Sequence, residues 1–315
     1  MTSKNLFGLI QSISKFCGER PGLRLGNRVG VVTQRQYFGH YEIVKVGNVS
    51  SVKKVPSHVK EPDFFVKKPT YPDLKSNEEI RRMRRSCKLA SYILETVGDD
   101  IKVGMTTDEI DEKVHNMAIE NGAYPSPLNY KGFPKSCCTS VNNVACHGIP
   151  DDRKLVDGDI INLDVTVCLD GFHGDCSATY LVGNVDAPGI HLVNVTYEAL
   201  HAAISACRPK QYFTVIGQIV EDIAIQNKLD VISCFTGHGI GRYFHGPPDI
   251  YHCYNDYGGQ MESGMTFTIE PILTQGKDEV IIMEDGWTAM TTDNARTAQW
   301  EHTILITDDG CEILT

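Results

Sequence analysis

Long hydrophobic runs are missing from this 315-residue sequence. No stretch of 18 apolar residues occurs, so no helix is expected to cross a membrane. Cysteine pairs of the metal-ribbon kind are missing too. The eleven cysteines contain no Cys-x-x-Cys, which argues against a zinc finger or ribbon. No secretory signal with an apolar core is present, and an odd cysteine count suits free thiols in a reducing compartment. Positive charge is scarce over most of the chain. Residues 1–60 hold ten Lys or Arg against only Glu19 and Glu42, which leaves 20 basic and 38 acidic residues, or −18, in the remainder. That balance argues against nucleic acid or an anionic membrane as a partner of the folded body. What remains, 41% hydrophobic and 22% charged, is ordinary globular material for one large domain or two small ones.

The first 40 residues are acid-poor apart from Glu19, with Lys4, Lys15, Arg20, Arg24, Arg28 and Arg35 beside Ser3, Ser12 and Ser14. Leu6, Leu9, Ile10, Ile13 and Phe16 fall at helical spacing. This composition is that of an organellar transit peptide, expected to span residues 1–55 and to be disordered; the alternative is a basic tail on a cytosolic protein. Pro56, Pro62, Pro69 and Pro72 make residues 56–75 an extended lead-in. Residues 76–315 are expected to form the folded body.

Within that body the order of elements is legible. Ser76 or Asn77 caps a helix whose apolar residues Ile80, Met83, Cys87, Ala90, Leu94 and Val97 keep a 3–4 spacing. Thr106 to Glu109 has a capping-box pattern and opens a second helix. Strands follow. Two more helices come next, one with Pro188 in its first turn and one capped by Thr214. The last third is largely strand, with Trp287 expected in a short one. Helix, helix, strands, twice over, suggests two like-built halves in an α+β domain.

The centre of the sequence is Ile160 to Val182. Two β-rich runs flank Asp170-Gly171, a hairpin signal because both central residues of a type I′ turn need φ > 0. A two-residue turn sets Leu169 opposite Phe172, Thr166 opposite Asp175 and Asp164 opposite Ser177. Asp164 and Asp175 then share one face as diagonal neighbours, within about 8 Å. Leu163, Val165 and Val167 on the other face place this hairpin inside a sheet. Buried carboxylates so close need a cation or a proton; the plain alternative is a solvated hairpin with two surface acids. Three further ionisable residues sit in apolar or glycine-rich surroundings where unpaired charge is costly: His238, Glu270 and Glu301. Four carboxylates and one imidazole suit Mn, Fe, Co or Zn as divalent ions. Their charge of −4 is balanced by two such ions, the pattern of a two-metal hydrolase. His147, ending a strand-like run before Gly148, is by itself more simply structural.

The runs Val-Ala-Cys-His-Gly-Ile-Pro, Asn-Leu-Asp-Val-Thr-Val with Gly-Asp-Cys-Ser eleven residues on, Gly-His-Gly-Ile-Gly with Phe-His, Thr-Ile-Glu-Pro and Trp-Glu-His-Thr resemble those of type 1 methionine aminopeptidases. The resemblance runs from about Ser76 to the C-terminus. The run Ala123 to Ser136 looks most like the mitochondrial subgroup, although Pro127 stands where bacterial relatives often carry cysteine, so that wall of the pocket differs. No Cys/His-rich zinc region precedes Ser76, unlike the large cytosolic type 1 forms, and the stretch from Glu221 to His238 is too short for the type 2 insert.

The resemblance implies the pita-bread (creatinase/aminopeptidase) fold, two pseudo-symmetric halves around a curved antiparallel sheet with the metals between them. It implies Asp164, Asp175, His238, Glu270 and Glu301 as ligands of two divalent ions, with Asp175 and Glu301 bridging. Glu270 would also carry the proton of the attacking water. His245 would stabilise the oxyanion, and His147 would contact the scissile amide. Tyr130, Phe133, Cys138, Phe244 and Trp287 would line the methionine pocket. The implied activity is removal of the N-terminal methionine from nascent or imported polypeptides when the second residue is small. The expected enzyme is a mitochondrial monomer, with the cytoplasm or a plastid as alternatives, and binds neither nucleic acid nor membrane. Two rivals stay open: an X-Pro aminopeptidase or prolidase-like enzyme on the same fold, and a non-catalytic pita-bread binding protein.

Overall fold

A computed structural model describes residues 38–64 and 66–315; the amphipathic stretch expected in the first 37 residues lies outside them. Helix α1 (Asn77–Asp99) starts at a reciprocal cap, Ser76 Oγ accepting from Glu79 N and Glu79 Oε2 from Ser76 N at 3.0 Å. Its buried side includes Met83, Cys87, Ala90, Leu94 and Val97, the stripe expected from spacing. Helix α2 (Thr107–Glu120) repeats the device at Thr106 and Glu109. Helix α3 (Ala187–Ser205) is capped by Asp186, which accepts from Gly189 N at 2.9 Å, with Pro188 in the first turn. Helix α4 (Thr214–Gln226) departs from expectation: Thr214 is its first residue, and Phe213 precedes it without a side-chain cap.

A nine-stranded sheet holds the molecule together. Its path runs β1 (Tyr124–Pro125), β4 (Ile160–Leu169), β5 (Phe172–Leu181), β14 (Glu301–Ile306), β9 (Thr266–Ile269), β7 (Gly237–Gly239) and β8 (Gly246–Ile250). β2 (Cys138–Val141) pairs with β4, and β15 (Cys311–Ile313) with β14. All these pairs are antiparallel. The β4–β5 hairpin has the expected register throughout: Leu169 faces Phe172, Thr166 faces Asp175 and Asp164 faces Ser177. Two smaller three-stranded sheets accompany it: one joins β3 (Val144–Cys146) to β12 (Ala289–Thr291) and β11 (Val280–Ile282), the other β13 (Thr297–Gln299) to β10 (Ile272–Thr274) and β6 (Asp230–Val231). Trp287 lies in the turn between β11 and β12 rather than in a strand.

The two halves have separate cores. Ile93, Val97, Ile110 and Val114 from α1 and α2 pack on Ile161, Leu163, Val165 and Val167 of β4. Leu192, Leu200, Ile216 and Val220 from α3 and α4 pack with Phe267, Ile269, Ile304 and Ile306 of β9 and β14. Trp300 touches both clusters. Gly174 lets α1 lie directly on β5, since a Cβ there would overlap the backbone of Ser86 and Cys87. This close approach fixes β5 at the residue before Asp175.

Residues 38–55, assigned to the leader by composition, run along the body. Tyr41 stacks under the Arg296 guanidinium, 4.6 Å from the ring centroid, and Arg296 Nη2 donates to Phe38 O at 2.8 Å. Arg296 is fully buried and also bonds Asp186 at 2.6 Å. Backbone amides of Gly47 and Asn48 donate to Asp151 and Asp152. Composition could not reveal this packing, because its partners lie about a hundred residues or more away in the sequence.

Candidate metal centre and pocket

The five expected ligand residues come from five different strands or strand ends. Asp164 and Glu301 both stand opposite Ser177, one on each side of β5. Asp175 lies two residues from Ser177 and so on the same face. Glu270 follows the last residue of β9, and His238 is the middle residue of β7. Ligand atoms of Asp175, His238 and Glu301 lie within 4.8 Å of one another, all three residues buried. His238 Nε2 is 3.7 Å from Asp175 Oδ2 and 3.6 Å from Glu270 Oε1.

These contacts do not satisfy each other. His238 Nδ1 faces Gly239 O at 3.3 Å, which assigns the ring proton to Nδ1 and leaves the Nε2 lone pair towards two carboxylates. Asp164 Oδ1 is buried without a hydrogen-bond partner. Burial pushes the Asp164 carboxyl up to about 7 and that of Glu270 to about 8. Asp175 and Glu301 are raised well above the ordinary range by burial and then by the neighbouring acids. His238, held near 4 by burial, stays neutral. An oxygen-rich set with one imidazole lone pair and surplus negative charge fits divalent cations.

The carboxylates are also aimed. Thr166 Oγ1 donates to Asp175 Oδ1 at 2.6 Å, and Thr268 Oγ1 to Glu270 Oε1 at 2.8 Å. Gln299 Nε2 reaches Glu270 Oε2 at 3.4 Å. Such outer partners orient ligating groups. They were not singled out from sequence, though Thr166 and Thr268 each stand two residues from a candidate ligand. His173 was missed as well. Two residues before Asp175 and buried, it stacks on Phe244 with rings 5.2 Å apart and 6° from parallel, and it bonds Ser126 Oγ at 2.9 Å.

Aromatic and histidine rings gather next to His238. His245 lies 4.1 Å from His238 between ring centroids, stacks on Tyr130 at 5.2 Å, and keeps Nδ1 buried and unpartnered. Tyr130 tilts against Phe244 at 4.9 Å, and Phe133 meets Trp287 edge-on at 5.2 Å. Cys138 stands opposite Asp164 in the β2–β4 register. His147 is just past β3 in a left-handed conformation, φ 55°, with its ring against Phe235 and Trp287. Gly148 follows it because a Cβ there would overlap Thr139 O. Burial holds His147 near 4 and His245 well below the ordinary histidine value, so both rings are neutral near pH 7. Tyr130, Phe244 and His245 thus pack against His238, Cys138 faces Asp164, and Phe133, Trp287 and His147 form a second group of rings. None of the ten cysteines among the described residues is in a disulfide.

This sheet, with a buried carboxylate–imidazole cluster beside packed aromatic rings, fits a metal-dependent hydrolase. Residues 81–308 match the model of metallopeptidase family M24. The mitochondrial methionine aminopeptidase 1D of Danio rerio is 52% identical over 87% of this chain and 83% of the relative. The Homo sapiens protein of that name is 51% identical over 90% and 86%. A crystal structure of methionine aminopeptidase from Rickettsia prowazekii superposes with a TM-score of 0.76 and 42% identity, over 78% of this chain and 99% of that one. The chain belongs to metallopeptidase family M24 and, within it, to the methionine aminopeptidases, with the pita-bread fold that the motifs implied.

Proposed function

We propose that this enzyme releases N-terminal methionine from polypeptides whose second residue is small. The observation that carries the reading is the group of rings, Tyr130, Phe244 and His245, packed against His238 of the carboxylate–imidazole cluster. Asp164, Asp175, His238, Glu270 and Glu301 would hold two divalent ions, which when bound supply Lewis acidity and activate the attacking water near neutral pH. Glu270, oriented by Thr268 and Gln299, takes the proton of that water and returns it to the leaving amine. His245, neutral and with an unpartnered ring nitrogen, donates to the developing oxyanion. His147 meets the scissile amide from the Trp287 side. Tyr130, Phe133, Cys138, Phe244 and Trp287 receive the unbranched thioether, which suits flat rings better than a γ-branched chain does.

The test compares kcat/KM for Met-Ala-Ser, Leu-Ala-Ser and an Ala-Pro peptide under one set of metal conditions. Met-Ala-Ser should be preferred strongly, and Trp287→Ala should narrow the Met-to-Leu ratio with metal content unchanged. Volume alone separates such side chains by only about 1–3 kcal/mol, so ring shape must add to it. If the Ala-Pro peptide is the best substrate, the X-Pro reading replaces this one.

We also infer a mitochondrial address, supported by the acid-poor, serine-bearing first 40 residues and by the mitochondrial names of the relatives. Residues 1–60 fused to a fluorescent protein should enter mitochondria. Cytosolic or plastid fluorescence would overturn the inference.

A further inference from the structure

Besides its contacts with Arg296, Asp151 and Asp152, the segment from Phe38 to Phe64 touches the body at three loops or turns next to expected pocket or catalytic residues. Asn142 Nδ2 donates to Glu42 O at 2.9 Å, and Val44 N donates to Asn143 Oδ1 at 2.8 Å. Asn142 and Asn143 form the turn between β2, which begins with Cys138, and β3, which leads to His147. Lys135 Nζ donates to Ser50 Oγ at 2.6 Å, and Lys53 Nζ pairs with Asp111 Oδ2 at 2.7 Å. Asp111 Oδ1 in turn accepts from Ser136 N at 2.6 Å. Lys135 and Ser136 lie between Phe133 and Cys138. At the end of the segment, the Phe64 ring meets Tyr130 edge-on at 5.3 Å and Tyr124 at 6.2 Å.

Tyr130 needs such support. Its neighbours Asn129 and Lys131 have φ of 64° and 48°, conformations that residues with a Cβ keep only where the surroundings impose them. The hydrogen bonds of this loop run mostly within it, Asn129 N to Phe133 O and Phe133 N to Tyr130 O, both at 2.9 Å. The Tyr130 ring is packed from outside by Phe64 and from inside by Phe244 and His245. We propose that Phe64 is a positioning residue for methionine recognition: it presses Tyr130 onto Phe244 and His245 and so fixes the outer wall of the pocket. Residues 38–64 thereby act as a strap of the catalytic unit. This inference rests on the aminopeptidase reading above.

The full chain, Phe64→Ala, Phe64→Leu and Phe64→Tyr are compared in metal content, in kcat and KM on Met-Ala-Ser and Leu-Ala-Ser, and in amide exchange of residues 128–134. Phe64→Ala should raise KM for Met-Ala-Ser about tenfold with kcat changed by less than about twofold, the signature of lost ground-state positioning. The Met-to-Leu ratio should narrow, exchange at 128–134 should quicken, and metal content should stay constant. Phe64→Tyr should restore the parent values, whereas Phe64→Leu, which keeps apolar bulk without a ring edge, should not. Unchanged KM, ratio and exchange in Phe64→Ala would overturn the proposal, as would a loss confined to kcat. If Phe64→Ala does not fold, Phe64→Leu decides by the same criteria. Failure of the parent chain on Met-Ala-Ser would count against the aminopeptidase reading instead, while exchange at 128–134 still reports on Phe64.

Discussion

Asp175→Asn is expected to lower kcat at least about 10³-fold and to reduce bound metal, because it removes both a proposed ligand oxygen and a negative charge. Loss of an outer partner alone typically costs about 10–100-fold in metal affinity or activity, and Asp175 is at the centre of the cluster. Its Oδ2 faces the His238 lone pair, and its Oδ1 is oriented by Thr166. An asparagine amide would donate to His238 Nε2 and thereby occupy the lone pair proposed to hold a cation. Metal analysis beside single-turnover rates checks this. A variant that keeps the parent's metal content and rate would remove Asp175 from the proposed ligand set. The chelated parent chain gives the same information thermodynamically. Its carboxylates have folded-state values raised to about 7 for Asp164 and about 8 for Glu270. The folded chain thus holds protons that the unfolded chain has released, and its stability falls as pH rises from about 4 towards 8. Divalent metal should therefore raise Tm more at pH 8 than at pH 5. Equal shifts at both would mean that these carboxylates do not face the ions.

His245→Ala is expected to lower kcat about 10²–10³-fold, the size measured for removing one oxyanion donor, with metal content intact and KM little altered. The structure gives a reason to separate it from His238, only 4.1 Å away between ring centroids. His238 directs Nε2 into the carboxylates, whereas His245 stacks on Tyr130, tilts against Phe244 and keeps Nδ1 without a partner. A change confined to KM would make His245 a substrate contact only. Loss of metal would make it a ligand. Because burial holds its ring neutral, it donates as imidazole, and its contribution should be level across pH 6–8.

Much of this was legible in the chain because local chemistry enforces it. Asp170-Gly171 permits a two-residue turn, and the period of two then puts Asp164, Thr166, Asp175 and Ser177 on one face before any other strand is considered. Reciprocal caps at Ser76 and Thr106 set two helix starts. Apolar or glycine-rich settings around His238, Glu270 and Glu301 marked them as costly to leave unpaired. Trp287 and Thr214 show the limits of local reading. The β11–β12 turn and the entry to α4 are decided by what the neighbouring strands and helices leave open.

Three features belonged to the tertiary structure alone. Glu301 and Asp164 flank Ser177 only because β14 pairs with β5, a contact across more than a hundred residues whose register no local pattern specifies. The direction of each carboxylate depends on Thr166, Thr268 and Gln299, polar residues that look ordinary in sequence because their partners are supplied by the fold. Residues 38–55 share the basic, acid-poor composition of what precedes them, yet Tyr41, Lys53 and their neighbours bond to Arg296 and Asp111. Composition reports average charge and hydropathy, and it carries no information on which distant side chain completes a hydrogen bond. The sequence by itself therefore determined the chemistry available and the hairpin that begins to assemble it. Strand pairing and burial decided how closely the charges meet, and that proximity is what makes the cluster require a cation.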